Sequence, residues 1–287
     1  PAIICATLPE NMDLETRHLL IEKGVAPMQG IHEALNAIRD SADWNQARSR
    51  ILSEKPEYLL PSYPSSEQKV MSESDSKRWL KNNNFNVPNG KTVSPHKLGE
   101  AASEVGYPVA LKMISPRLLH KTEAGAVVLD LKDEEELKLA VEKMRIDVTA
   151  YDADAASELF LVEAMSPNPV AELIVNLRQD PQFGAALVLG SGGVLVELMA
   201  DTATLLLPTS LADIIRALKS LRVGRLLEGF RGRPAVDIPK VAGEIYKLCI
   251  AYQDHDKTIT EIEINPLFVY RDTVSAIDAL IQVPVHK

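Results

Sequence analysis

The segment ITEIEINPLFVY, Ile259 to Tyr270, alternates polar and apolar residues, the period of a half-buried β-strand. In such a strand Thr260, Ile262 and Ile264 share one face. Glu261, Glu263 and Asn265 share the other, so two carboxylates and a carboxamide stand in a row about 6 to 7 Å apart. A solvated outer face would explain that row, and so would a cleft in which a cation neutralises it. The following segment, VSAIDALIQV, carries Asp278 among apolar neighbours, and an acid in an apolar run needs a partner. If the two segments pair as a hairpin, Asp278 lies opposite Glu263 and Asn265 and gathers oxygens around one point. Mg2+ suits that donor set, because it takes oxygen ligands, keeps waters and completes its octahedron with substrate phosphates. The row is therefore read as holding Mg2+, which in turn holds a nucleotide.

Length, composition and charge narrow the class of protein. A chain of 287 residues exceeds the usual single core, so two structural units are expected. No apolar run approaches the ~20 residues of a membrane span. With 31 basic and 40 acidic residues the formal net charge is −9, which disfavours a nucleic-acid partner, since that needs clustered Lys and Arg. Cys5 and Cys249 each sit in an apolar element and read as reduced core thiols. The chain starts with Pro and shows no charged segment leading into an apolar one. A cytoplasmic protein, and a piece of a longer one, are the expectations.

Element order divides the chain. PAIICATLP, ENMDLETRHLLIEKG, VAPMQG and IHEALNAIRDSADW read as strand, helix, strand and helix over residues 1–50, a βαβα slice of a parallel sheet. So short a slice does not cover both faces of a parallel sheet, so it is expected to complete a larger one. SEKPEYLLPSYPSSE lies in a linker over 51–66. From 67 to 287, helices alternate with mainly antiparallel strands (YPVALKMI, AVVLDL, ELFLVEAM, AELIVNL, FGAALVLG, GVLVELM) in an α+β order. No internal repeat is present.

Few side chains announce chemistry alone. Lys112 is the one charge in VALKMI, and a strand lysine more often snorkels than binds a ligand. GSGG, which contains Gly192 and Gly193, precedes a strand rather than a helix, so it fails as a dinucleotide fingerprint and reads equally as a tight hairpin turn. His120 in LLHKTEAG reads first as a solvated loop histidine. No His/Cys cluster has zinc spacing and no Gly-x-Ser-x-Gly elbow occurs.

Taken together, GYPVALKMISPRLLHKTEAGAVVLDL, DPQFGAALVLGSGGVLVELMADTATLLLP, LLEGFRGRPAVD and EIEINPLFVY with IDALI resemble the ATP-grasp portion of NDP-forming acyl-CoA synthetases, relatives of succinyl-CoA synthetase. The resemblance covers residues 66–283. It implies an ATP-grasp fold of two α+β subdomains, preceded by the end of a flavodoxin-like CoA-ligase subdomain. It also implies ATP/ADP and Mg2+ as cofactors, CoA and a small carboxylic acid as reactants bound mostly outside this chain, and an oligomer with the remaining ligase domains on the same protein or a partner subunit.

By the same resemblance Lys112 contacts nucleotide phosphates, and Asn265 and Asp278 are metal ligands. Glu263 receives a visiting phosphohistidine, Glu163 lies at the adenine hinge, Glu172 contacts ribose or nucleotide, Gly192 and Gly193 border the phosphates, and His120 is a second phosphate carrier. Four positions depart from the family pattern: Glu123 for Asp, Ala126 and Asn176 for Gly, and Leu280 for a basic residue. Those departures feed a rival reading, a degenerate ATP-grasp module that regulates a protein acetyltransferase fusion. The commitment is to the acid–thiol ligase: ATP to ADP conversion coupled to thioester formation through acyl phosphate and phosphohistidine.

Overall fold

The computed structural model describes residues 2–54, 59–61, 67–118, 121–192, 201–232, 234–255 and 258–285. The chain divides into two compact units, Pro1–Tyr58 and Leu59–Lys287.

The first unit is the expected βαβα slice. Strand β1 (Ala2–Ala6) pairs in parallel with β2 (Val25–Gln29). Between them helix α1 (Leu14–Glu22) starts where the Asp13 carboxylate accepts the Thr16 amide at 2.7 Å, an N-cap that satisfies an otherwise orphaned donor. Gly24, at φ +70°, ends it. Helix α2 runs Ile31–Glu54, well past the expected end of the slice, because neither Pro nor Gly interrupts the sequence before Pro56. The predicted linker thus begins as helix, and residues 55–58 and 62–66 of it lie outside the described residues. Cys5 is exposed, not a core thiol: two strands and two helices leave Ile4, Leu14, Leu35 and Trp44 exposed with it.

The second unit holds two antiparallel sheets. The smaller has the order β4-β7-β5-β6, from β4 (Gly90–Val93), β5 (Val109–Met113), β6 (Val127–Leu131) and β7 (Phe160–Ala164). Helices α4 (Leu98–Val105) and α5 (Glu134–Tyr151) cover it, burying Leu98, Leu111, Met113, Leu137, Met144 and Phe160 together. Helix α3 (Glu73–Asn82) precedes β4, with Ser72 accepting the Asp75 amide at 3.1 Å.

The larger sheet has the order β10-β9-β8-β11-β13-β3, with β12 also paired to β11. Its strands are β3 (Gln68–Val70), β8 (Ala171–Asp180), β9 (Gly184–Ser191), β10 (Thr202–Leu206), β11 (Glu261–Val269), β12 (Val274–Ala276) and β13 (Ala279–Pro284). Helices α6 (Leu211–Ser220), α7 (Gly224–Leu227) and α8 (Ile238–Asp254) follow in the same unit, and its core gathers Leu173, Leu177, Ile214, Ile245, Leu248 and Tyr252. Cys249 belongs to that core, and burial pushes its thiol up to about 12. The expected strand GVLVELM lies outside the described residues. Among the described residues no helix is long and apolar enough to cross a membrane.

Strand β11 buries Ile262 and Ile264 completely and leaves Glu261, Glu263 and Asn265 half-buried, the alternation read from the sequence. Its partner differs from expectation. VSAIDALIQV forms two short strands, β12 and β13, with Ile277 and Asp278 in the break between them. The β11–β8 register shifts between Ile264 and Leu267 at the same level, where Pro266 has no amide to give the ladder. In place of regular pairing, the Asn265 amide donates to Asp278 O at 3.2 Å and the Ile277 amide donates to Pro266 O at 3.1 Å. The paired break sets Asn265 beside Asp278.

Candidate functional site

Six charged side chains meet where α3, the small sheet and the β12–β13 break converge. Lys112 lies inside β5, a strand buried along its whole length. Its Nζ donates to Glu73 Oε1 at 2.6 Å and to Ile277 O at 3.0 Å, and stands 3.0 Å from Glu163 Oε2. Lys77 Nζ donates to both Glu163 oxygens at 2.6 and 2.7 Å and lies 2.9 Å from Glu73 Oε1. Lys121 Nζ donates to Glu73 Oε2 and to both Asp278 oxygens, the latter at 2.8 and 2.9 Å. Three ammonium groups thus face three carboxylates. Glu73, Lys77, Lys112 and Glu163 are each at most 5% exposed, and burying such charges is tolerable only when every one is paired.

The balance sets the protonation states. Burial alone would raise the Glu73 carboxyl, but Lys112, Lys77 and Lys121 outweigh it and hold the group well below the usual carboxylate range. Burial opposes charge on Lys112 too, yet Glu73 and Glu163 reverse the effect and keep its ammonium above the ordinary range. Lys121 is raised in the same way by Glu73 and Asp278. Lys77 goes the other way, lowered by burial and by the neighbouring Lys112 charge. It is the lysine for which the acids compensate least.

Beside this network lies a cavity of about 390 Å³ lined by Glu73, Lys121, Glu263, Asn265, Asp278 and Leu280, among others. Glu263 therefore joins Asn265 and Asp278, as the alternation on β11 required. Burial pushes its carboxyl up, and the Glu261 charge adds to that, against a contact from Asn176. Asn176 Nδ2 donates to Glu261 Oε1 at 2.6 Å and lies 3.5 Å from Glu263 Oε2. The Asn176 carboxamide thus ties the acidic row to β8.

The other sequence-derived residues divide. Glu163 is not free at a hinge; its carboxylate is committed to Lys77 and Lys112. Glu172 sits on β8 across from Phe268, and its carbonyl accepts the Gly192 amide at 2.8 Å. A side chain at Gly192 would come within 2.6 Å of the Leu173 backbone, so glycine is required there by close strand approach. The Gly192 amide, bonded to the Glu172 carbonyl, is already committed to a backbone partner. His120 and Gly193 lie outside the described residues.

Glu73, Lys77 and Lys121 were not singled out by sequence. Glu73 and Lys77 are spaced i,i+4 on a helix, the commonest surface ion pair. Only the small residue Ser76 between them, buried with its hydroxyl accepting the Ile281 amide at 3.2 Å, marks that face as inward.

Do these residues fit Mg2+? Among the described residues no three His, Cys, Asp or Glu form a ready metal cluster. The cavity instead offers one carboxylate, Asp278, beside the Asn265 carboxamide. That is a donor set for an ion that leaves its remaining positions to water and phosphate. A cation, the Lys121 ammonium, already sits against both Asp278 oxygens, so the carboxylate is arranged to receive positive charge.

Comparison with known proteins agrees. Residues 62–283 match the ATP-grasp domain family. The β subunit of ADP-forming acetate–CoA ligase II from Pyrococcus furiosus is 34% identical over 211 residues, covering 72% of this chain and 88% of that subunit. The dinucleotide-forming acetyl-coenzyme A synthetase 1 of Ca. Korarchaeum cryptofilum, solved with coenzyme A and Ca-AMPCP, superposes with a TM-score of 0.71 at 31% identity, over 75% of this chain and 93% of that one. The same enzyme with coenzyme A and Mg-AMPPCP, its phosphohistidine segment pointing towards the nucleotide site, gives 0.64 at 29% over the same shares. Residues 62–283 and the two antiparallel sheets with their helices are thus those of an ATP-grasp domain, and the chain belongs to the ATP-grasp family of the ADP-forming acetate–CoA ligase β subunits.

Proposed function

We propose that this chain is the nucleotide-handling part of an ADP-forming acyl-CoA synthetase. The observation that carries the reading is that Glu263, Asn265 and Asp278 line one cavity, with Lys112 in the ion network beside it. In the overall reaction a carboxylate is activated as an acyl phosphate, the CoA thiol displaces phosphate to form the thioester, and a histidine carries the phosphoryl group to ADP. CoA, the carboxylate and that principal histidine belong to ligase domains beyond these residues. Residues 1–50 read as the end of one of them, with 51–66 as the linker to the ATP-grasp domain over 67–287.

Phosphoryl transfer needs in-line positioning and neutralised oxygen charge. Lys112 supplies a fixed ammonium for the phosphates. Asp278 and Asn265 would hold Mg2+, which would supply positive charge to offset that developing on the phosphates. Glu263 accepts the N–H of an incoming phosphohistidine ring and orients its phosphoryl nitrogen, while Glu163, committed to Lys77 and Lys112, holds the Lys112 ammonium in place. The relatives are ligase subunits, which favours catalysis over a purely regulatory module. Calorimetry with Mg-ADP and Mg-ATP tests the reading: binding is expected, with at least roughly tenfold loss in Lys112→Ala. Absent binding, or binding unchanged by that substitution, overturns it.

A further inference from the structure

Lys121 is a cation placed on a carboxylate that the preceding reading gives to a metal. Its Nζ is nearly equidistant from the two Asp278 oxygens, at 2.8 and 2.9 Å. It is also held from the other side by Glu73 Oε2. The side chain is 17% exposed and that of Glu73 only 2%, so the ammonium is not a solvated surface charge. Asp278 is 36% exposed on its side chain, which leaves a path for exchange from the cavity. The backbone holds Lys121 close as well: the Ala126 amide donates to Lys121 O at 2.8 Å, closing a turn that ends in the fully buried Ala126.

We propose that Lys121 is the built-in competitor of the divalent cation. In the nucleotide-free chain its ammonium neutralises Asp278. A metal ion reaches that carboxylate only by displacing Lys121, and the phosphates that arrive with the metal take up the released ammonium. One ammonium–carboxylate pair is replaced by a metal–carboxylate contact and an ammonium–phosphate contact, so Lys121 and Asp278 each keep an opposite charge. Glu73 is the pivot of that exchange, because it keeps Lys77 and Lys112 as partners when Lys121 turns away. The consequence is order: metal alone binds weakly, and metal with nucleotide binds well, because only the nucleotide offers Lys121 a new anion. This inference rests on Asp278 being the metal ligand, and its test separates the two.

The experiment is a Mn2+ titration of the full chain followed by the loss of the free-ion paramagnetic resonance signal, in the absence and presence of ADP, for wild type, Lys121→Met, Lys121→Arg, Asp278→Asn and Lys121→Met/Asp278→Asn. Thermal melts accompany each variant to show folding. In Lys121→Met, Mn2+ affinity without nucleotide is expected to rise roughly tenfold, one contact cation being removed from the ligand, while Mn-ADP affinity falls. Lys121→Arg restores the wild-type order, and adding Asp278→Asn abolishes the gain. If Lys121→Met folds and binds Mn2+ alone no better than wild type, while Asp278→Asn still weakens Mn-ADP, competition is wrong and the metal site stands. If Asp278→Asn changes neither affinity, the metal reading of Asp278 falls and the inference with it.

Discussion

Lys112 Nζ lies 3.0 Å from Glu163 Oε2, joining in one buried ion pair two residues that sequence assigns to opposite ends of the nucleotide. The two stand on the neighbouring strands β5 and β7, and the Lys112 ammonium cannot move without leaving both Glu163 and Glu73 short of charge. Lys112→Met is therefore expected to destabilise the fold by roughly 3 kcal/mol, the cost of stranding a buried carboxylate, besides weakening Mg-ADP binding. Urea denaturation checks the first effect. An unfolding midpoint equal to wild type would mean that Lys77 alone compensates both acids.

Asp278→Asn removes a ligand charge and leaves the amide-to-carbonyl link between Asn265 and Asp278 untouched. Nucleotide affinity measured with Mg2+ should fall by roughly tenfold or more, whereas affinity in EDTA should change little. Equal losses in both conditions would make the aspartate a partner of Lys121 only.

The fold was largely legible because its signals are local. Period-two alternation placed β11 and the apolar run around Lys112 placed β5. The break at Asp278 was not legible, since VSAIDALIQV alternates well enough for one strand; Pro266 on the neighbouring strand decides it. Glu73 and Lys77 were missed because an i,i+4 pair near a helix start carries the same signature in water as in a core. Lys121 was visible only as a neighbour of His120. Its meaning depends on Asp278, a contact across 157 residues that no local pattern encodes.

Glu263 should cost the fold stability at neutral pH. Its folded pKa is raised above the ordinary 4.5 by burial and by Glu261, so the protonated form suits the folded chain. The stability is fully present below 4.5 and is lost as pH rises through the folded value. Glu263→Gln, which keeps the shape and removes the charge, is expected to raise Tm at pH 7 by roughly 2 °C and to show no gain near pH 4. A gain of the same size at both pH values would assign the effect to packing instead.

Glu73 has the opposite sign. Its folded pKa is depressed below the unfolded value of 4.5, so its contribution is present above that value and disappears as pH falls towards the folded one. Glu73→Gln should therefore lose roughly 3 kcal/mol at pH 7, and the gap to wild type should narrow steadily below 4.5. Circular dichroism melts across that range decide it. A gap independent of pH would show that the carboxylate charge is not what Glu73 contributes.

His120 carries the boldest expectation, and it lies outside the described residues, so solution chemistry must test it. The step needs a neutral imidazole, whose free ring nitrogen is the nucleophile. Attack on the γ-phosphorus of ATP would form an N–P bond as the bridging P–O bond breaks and ADP leaves. What limits the step is reach. The turn after His120 is closed by the Gly125 amide on Thr122 O at 3.1 Å and the Ala126 amide on Lys121 O at 2.8 Å. The Lys121 side chain is tied to Glu73 and Asp278. Ala126, fully buried, has none of the conformational freedom that glycine gives at that position in the family pattern. Transfer is therefore expected to be slow but measurable. The chain incubated with Mg-ATP labelled on the γ-phosphate should acquire acid-labile, base-stable label that is lost in His120→Ala and in Lys112→Ala. Label that survives His120→Ala would move the chemistry to another side chain. No label, with Mg-ATP binding intact, would leave phosphate carriage to a histidine supplied by the ligase domains.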